Sequence, residues 1–136
     1  MLRQCSGRIG ADVGAGRCLV GGTQAEPITV DLADPVDGAT GYEVHRTARH
    51  DVAYELAVAA SGATGVDSDV TEGTTYLYKV RAIGGGGPSA FSNVDLATTI
   101  VFTDENLAGR PVRALHFQEA LSAVNAVRAA AVLAPV

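Results

Sequence analysis

Residues 75–83 read Thr-Tyr-Leu-Tyr-Lys-Val-Arg-Ala-Ile, and this run restricts the fold more than any other part of the chain. Tyr76, Tyr78, Val80 and Ala82 share one face of an extended segment, and Leu77, Lys79, Arg81 and Ile83 share the other. A strand with one face in a core is predicted. Its partners must be antiparallel, because parallel neighbours need crossovers and no helical period occurs before residue 100.

Shorter runs supply those partners. Ile28, Val30 and Leu32 alternate with Thr29 and Asp31; Tyr42, Val44 and Arg46 alternate with Glu43 and His45. Residues 54–58, 66–70 and 91–98 complete the set. Turn chemistry separates them: Asp34-Pro35, Asp37-Gly38, Ser61-Gly62, Gly65 and Glu72-Gly73. Gly84 to Pro88 reads as a mobile loop. Short strands at this spacing predict a mainly β chain folded as an antiparallel β-sandwich. With 5% aromatic residues and no tryptophan, its core must use small side chains.

Gly41-Tyr-Glu-Val-His-Arg46, Glu72-Gly-Thr-Thr-Tyr-Leu-Tyr-Lys-Val-Arg-Ala82 and Gly87-Pro-Ser-Ala-Phe-Ser92 resemble bacterial fibronectin type III modules of secreted proteins. They match such a module's third strand, the corner leading into its longest strand, and the loop that follows. The resemblance spans residues 24–99. It implies a sandwich with Tyr76 as a corner tyrosine, ring buried and hydroxyl tied to the backbone. Leu32 stands where family members usually carry a core tryptophan and is expected to point inward. The usual proline-marked first strand is not evident before Glu26, so residues 18–24 are candidates to supply it.

The flanks differ from this centre. Residues 1–23 are Gly- and Arg-rich, without period, and read as an irregular segment. Cys5 and Cys18 lie there; a disulfide and two unpaired thiols both fit, whereas zinc would lack ligands. Residues 100–136 read as a helical tail. Thr103-Asp-Glu reads as a short helix start stopped by Gly109 and Pro111. A longer Ala-rich helix is predicted from about residue 112 to 133, with Leu121, Val124, Val127 and Ala131 on its apolar stripe. A similar short tail follows modules of this kind, and no activity is implied by it.

Net charge is +2 over residues 1–23, −7 over 24–99 and zero over 100–136. An acidic sandwich argues against nucleic acid and anionic membrane surfaces as partners. No run is apolar enough to insert in a membrane, and the N-terminus lacks the order of a signal peptide. The resemblance nevertheless implies an extracellular protein, which fits a piece of a longer chain.

No chemistry assembles in the sequence. His45 and Glu43 share a strand face, with His50 and Asp51 beyond, but a metal needs at least three converging ligands. They read as solvated residues, as do Asp67, Asp69 and Glu72 in an acidic turn. His116 reads as a surface or packing residue. Asp104-Glu-Asn106-Leu-Ala108-Gly109 is half of a calcium loop, lacking an oxygen at Ala108 and the bidentate Glu at Leu115. Gly84 to Gly87 lacks the Lys and helix of a phosphate loop. The expected function is a non-catalytic binding or spacer module of a larger extracellular bacterial protein, contacting its other domains, another protein or a polysaccharide. No catalytic residue, metal ligand or cofactor is assigned. The alternatives are a small metal-dependent hydrolase using His45, His50 and nearby carboxylates, or a structural subunit self-associating through the C-terminal helix. That helix is expected to cover the open end of the sandwich.

Overall fold

The computed structural model describes residues 8–9, 14–15, 19–20, 27–32, 36–104 and 106–136. Cys5, Cys18, the Asp34-Pro35 turn and the Leu32 side chain lie outside the described residues.

The longest strand, β8 (Thr75–Gly84), lies in the middle of its sheet. One edge pairs antiparallel with β5 (Ala39–Thr47), which pairs in turn with β6 (Glu55–Ala60). The other edge is shared. β10 (Asp95–Thr98) covers its first half and β9 (Gly87–Pro88) its last residues. Between them Ser92 and Ser89 bond Val80 and Ala82 through backbone and hydroxyl alike, at 2.8–3.0 Å. The second sheet is built on β4 (Ile28–Leu32), with β7 (Thr64–Asp67) antiparallel on one side and the two-residue strands β1 (Arg8–Ile9) and β2 (Gly14–Ala15) beside it. A parallel pair joins β3 (Leu19–Val20) to β11 (Val101–Phe102). The architecture is the expected antiparallel sandwich with a C-terminal helix.

In β8, β5 and β4 the alternation read in the sequence is the alternation observed, whereas the strands expected at 66–70 and 91–98 run instead over Thr64–Asp67 and Asp95–Thr98. Tyr76, Tyr78, Val80 and Ala82 face inward with Tyr42 and Val44, against Ile28 and Val30 of the other sheet and Ala97 of β10. Two of these tyrosines anchor backbone as well as fill space. The Tyr76 hydroxyl accepts from Thr71 N–H at 2.9 Å, and Tyr42 accepts from Val36 N–H at 2.8 Å. Tyr76 is thus the corner tyrosine that the resemblance implied.

Asp67 corrects the reading of residues 67–72 as a solvated turn. It is 2% exposed. On β7 the inward residues are Gly65 and Asp67, while Val66 faces solvent. Gly65 is closely packed: a Cβ there would lie 3.3 Å from Val44 and 3.4 Å from Val58, so those side chains would have to give way. Both Asp67 oxygens accept from Arg46 at 2.7 and 2.9 Å, Oδ2 also accepts the Tyr78 hydroxyl at 2.8 Å, and Oδ1 accepts Asp69 N–H at 3.1 Å. Burial, and then the adjacent carboxylate, push the Tyr78 phenol well above its ordinary range.

Past β10, the turn before β8 is closed by Thr99, whose carbonyl accepts Gly73 N–H and whose own N–H reaches Thr74. Ile100 beyond it is buried too. Among the described residues the short helix expected at Thr103 does not form. Thr103 instead spends its hydroxyl and N–H on the Glu119 carboxylate, and Asp104 is drawn to Arg110, Arg113 and His116 at 2.6–3.0 Å. His116 first, then Arg113, hold the Asp104 carboxyl below its ordinary range. The helix α1 (Ala114–Ala130), the only one among the described residues, docks on the sandwich. Its contact stripe is not the one expected: Ala126 and Ala130 are buried, whereas Leu121, Val124 and Val127 are exposed. Small side chains win because they let the helix approach, and the Ala130 carbonyl then accepts His50 N–H at 2.9 Å.

Three outcomes are expected. Tyr76→Phe leaves the Thr71 amide without its acceptor and lowers stability by about 1 kcal/mol in urea titration. Asp67→Ala takes from Arg46 its buried carboxylate, leaving it only the exposed Asp69, and from the Tyr78 hydroxyl its acceptor, and removes about 3 kcal/mol, whereas Arg46→Met with Asp67→Leu and Tyr78→Phe recovers most of it. A chain ending at Thr99 still melts cooperatively, but about 5–10 °C lower, because the surface under Ala126 and Ala130 is uncovered. Loss of any cooperative transition would show that tail and sandwich form one folding unit.

Candidate recognition face

The side chains of β8 that do not enter the core build the outer face of its sheet. Arg81 and Lys79 lie beside Glu43 and His45 of β5, their registered neighbours. The Glu43 carboxylate accepts from Arg81 at 2.6 Å and contacts His45 Nε2 at 3.3 Å. Arg81, then His45, hold its carboxyl below the ordinary range. Above this ladder lies Phe91, brought over the sheet because Ser89 and Ser92 on either side are pinned to β8. The Phe91 ring meets His45 edge-on at 4.9 Å and lies 5.0 Å from the Arg81 guanidinium. Lys79 places its ammonium 4.2 Å from the ring centres of both Phe91 and Tyr54.

Charge singles out Lys79. The sandwich has four basic residues. Arg46 meets Asp67, Arg49 meets Asp51 and Arg81 meets Glu43, each within 3.0 Å. Among the described residues no carboxylate pairs with Lys79; two aromatic faces are its partners. The sequence put Lys79 and Arg81 on the outward face. It gave no sign that Tyr54 and Phe91, from separate loops, would converge there.

The histidines considered as metal ligands do not converge. His45 points to Glu43, whose other partner is a guanidinium in the place a cation would take. His50 instead faces the end of α1, its Nδ1 3.2 Å from the Ala130 carbonyl, and Asp51 is held by Arg49. Among the described residues no three His, Cys, Asp or Glu side chains gather. The half calcium loop is likewise occupied by side-chain cations on Asp104, and His116 is one of them when protonated.

Gly84 to Pro88, read as a loop, closes a hairpin. Ile83 pairs with Pro88 and Gly84 with Gly87, and Gly87 takes φ +97°, which a side chain would strain. Gly84 lies against the Gly38 carbonyl, which a Cβ would approach to 3.0 Å. The hairpin and residues 36–39 border a shallow groove of about 290 Å³.

Solved structures share this architecture. An Fn3-like protein from Clostridium thermocellum superposes with a TM-score of 0.54 at 19% identity, over 70% of this chain and 93% of its own. A myokine matches at 0.52 and 18% identity, over 69% and 98%. The fold is a fibronectin type III sandwich. The twitchin kinase region of C. elegans also matches, at 0.53 and 12% identity, over 72% of this chain but only 18% of that longer one. At these identities the likeness concerns the fibronectin type III fold and not the residues of a site. No protein-family model matches the sequence, and no curated protein sequence does. Among the described residues no helix is long and apolar enough to cross a membrane.

Proposed function

We propose that the chain is a non-catalytic recognition module of a larger extracellular bacterial protein, contacting a protein or polysaccharide through the outer face of the β10-β8-β5-β6 sheet. The observation that carries this reading is Lys79. It is a cation without a carboxylate, held between two partly exposed rings on an acidic domain. The two rings flanking Lys79 give a platform for a sugar or an apolar side chain, and the ammonium adds preference for an anionic group. Extracellular placement rests on the resemblance of residues 24–99 to secreted modules. A spacer role is the outcome if that face binds nothing.

The test is affinity electrophoresis in gels containing polygalacturonate, with uncharged dextran as control. The parent should be retarded by polygalacturonate alone, and the triple variant Tyr54→Ala, Lys79→Ala, Phe91→Ala should migrate freely while melting cooperatively. Equal retardation of both proteins would reject the face. Stoichiometric zinc in the purified protein would reject a non-catalytic module and favour the hydrolase reading.

One observation favours self-association as a second reading. Phe117, Leu121 and Val124 follow one another at helical spacing along α1 and are 48–67% exposed. Light scattering on the full chain distinguishes a monomer from a dimer.

A further inference from the structure

The alanine contact between α1 and the sheet leaves space on both sides. On one side lies an opening of about 320 Å³, bounded below by Thr75, Leu77 and Leu96 and above by Val127, Ala130 and Ala131, with His50 at its edge. On the other, a hollow of about 250 Å³ runs from Ala48 and Gly73 to Ala126 and Ala129. Thr75 borders both. It is 2% exposed, and its hydroxyl has no hydrogen-bond partner. Of the threonines buried in the described residues, Thr47 bonds the Arg49 carbonyl and Thr99 bonds those of Thr71 and Thr74. A buried hydroxyl left unpaired destabilises the fold, and a partner for it recovers that loss.

We propose that the larger opening is a binding site for a small neutral compound with an apolar body and one hydroxyl. Its volume is at the lower end of the range for small-molecule pockets. The Leu77, Leu96, Val127 and alanine walls offer carbon, and an apolar guest seated there takes the exposed Leu96 and Val127 side chains out of water. A charged ligand finds no partner: Arg49 borders only the other hollow, and His50 Nδ1 is engaged by the Ala130 carbonyl. The polar groups left are the unpartnered hydroxyl of Thr75, which borders the opening and needs only a change of staggered rotamer to face it, and the second nitrogen of His50. Together they select one hydroxyl on an otherwise apolar molecule. The site lies at the Thr75 end of β8, on the same outer face of the sheet as Lys79 but beneath α1, and its probes read residues other than the Tyr54, Lys79 and Phe91 that test the recognition reading.

The experiment titrates the full chain with p-cresol and with toluene and follows backbone amides by NMR. Saturable shifts are expected at Thr75, Leu77, Val127 and Ala131, with p-cresol about tenfold tighter than toluene, the worth of one hydrogen bond. Thr75→Val should abolish the preference while leaving toluene binding and cooperative melting intact. Ala131→Phe should block both probes; Leu96→Phe serves the same purpose if that variant does not fold. Absence of saturable shifts for either probe would overturn the site. Equal affinity for the two probes in the parent, or a cresol preference that survives Thr75→Val, would also overturn it.

Discussion

Asp67 comes from one sheet, and every side chain that bonds it comes from the other. Arg46 and Tyr78 reach it from β5 and β8, so a carboxylate on β7 fastens the two layers at one level. Taking a carboxylate out of water is unfavourable by several kcal/mol, and only a full set of charge-assisted bonds offsets this. Asp67 has that set. Arg46 keeps a fifth of its side-chain surface in solvent, which lowers its own desolvation, and its guanidinium rests 5.0 Å from the Tyr76 ring. The link is directional where apolar contact is not, and it fixes the sliding position of the sheets. A one-residue slip of β7 would bury Val66 and expose Asp67, leaving Arg46 and Tyr78 facing carbon.

The core around this link is small, and its tyrosines explain how it still holds. Val30, Val44, Val80 and three tyrosines do the filling that one large indole would otherwise do. Each tyrosine hydroxyl is used: Tyr42 on the Val36 amide, Tyr76 on the Thr71 amide, Tyr78 on Asp67. A ring so anchored has few orientations, so packing by small residues does not become loose packing. Direction matters here. Tyr76 acts as an acceptor, so its loss orphans an N–H, and buried N–H groups are seldom left unpaired.

How much of this was legible depended on whether neighbouring residues agreed. The faces of β8 could be read directly because nine consecutive residues alternate. Arg46 was readable too, since it keeps step with Tyr42 and Val44. Residues 64–67 misled because Val66 and Asp67 are swapped relative to hydropathy: the buried position holds the charge, for a reason that lies 21 residues away in Arg46. The tail misled for a similar reason. Larger apolar residues on α1 suggest a contact stripe, yet the distance at which a helix can lie on a strand end favours alanine. Thr103 and Asp104 carry the composition of a cap, but Glu119, Arg113 and His116 compete for their oxygens. The recognition face was legible by half. Strand parity gave Lys79 and Arg81, whereas Tyr54 and Phe91, read as the first residues of strands at 54–58 and 91–98, lie in the loops that precede β6 and β10.

The serines explain why Phe91 is held at all. A strand as long as β8 would leave the Val80 and Ala82 backbone groups bare between β9 and β10, an edge open to other chains. Ser89 and Ser92 close that gap with one hydroxyl and one amide each, doing with two residues what a continuous strand would do with several. The residues between them are thereby freed from the ladder. Phe91 uses that freedom to turn over the sheet and cover Lys79 and Arg81, so the face that carries the proposed recognition follows from how the sandwich protects its edge.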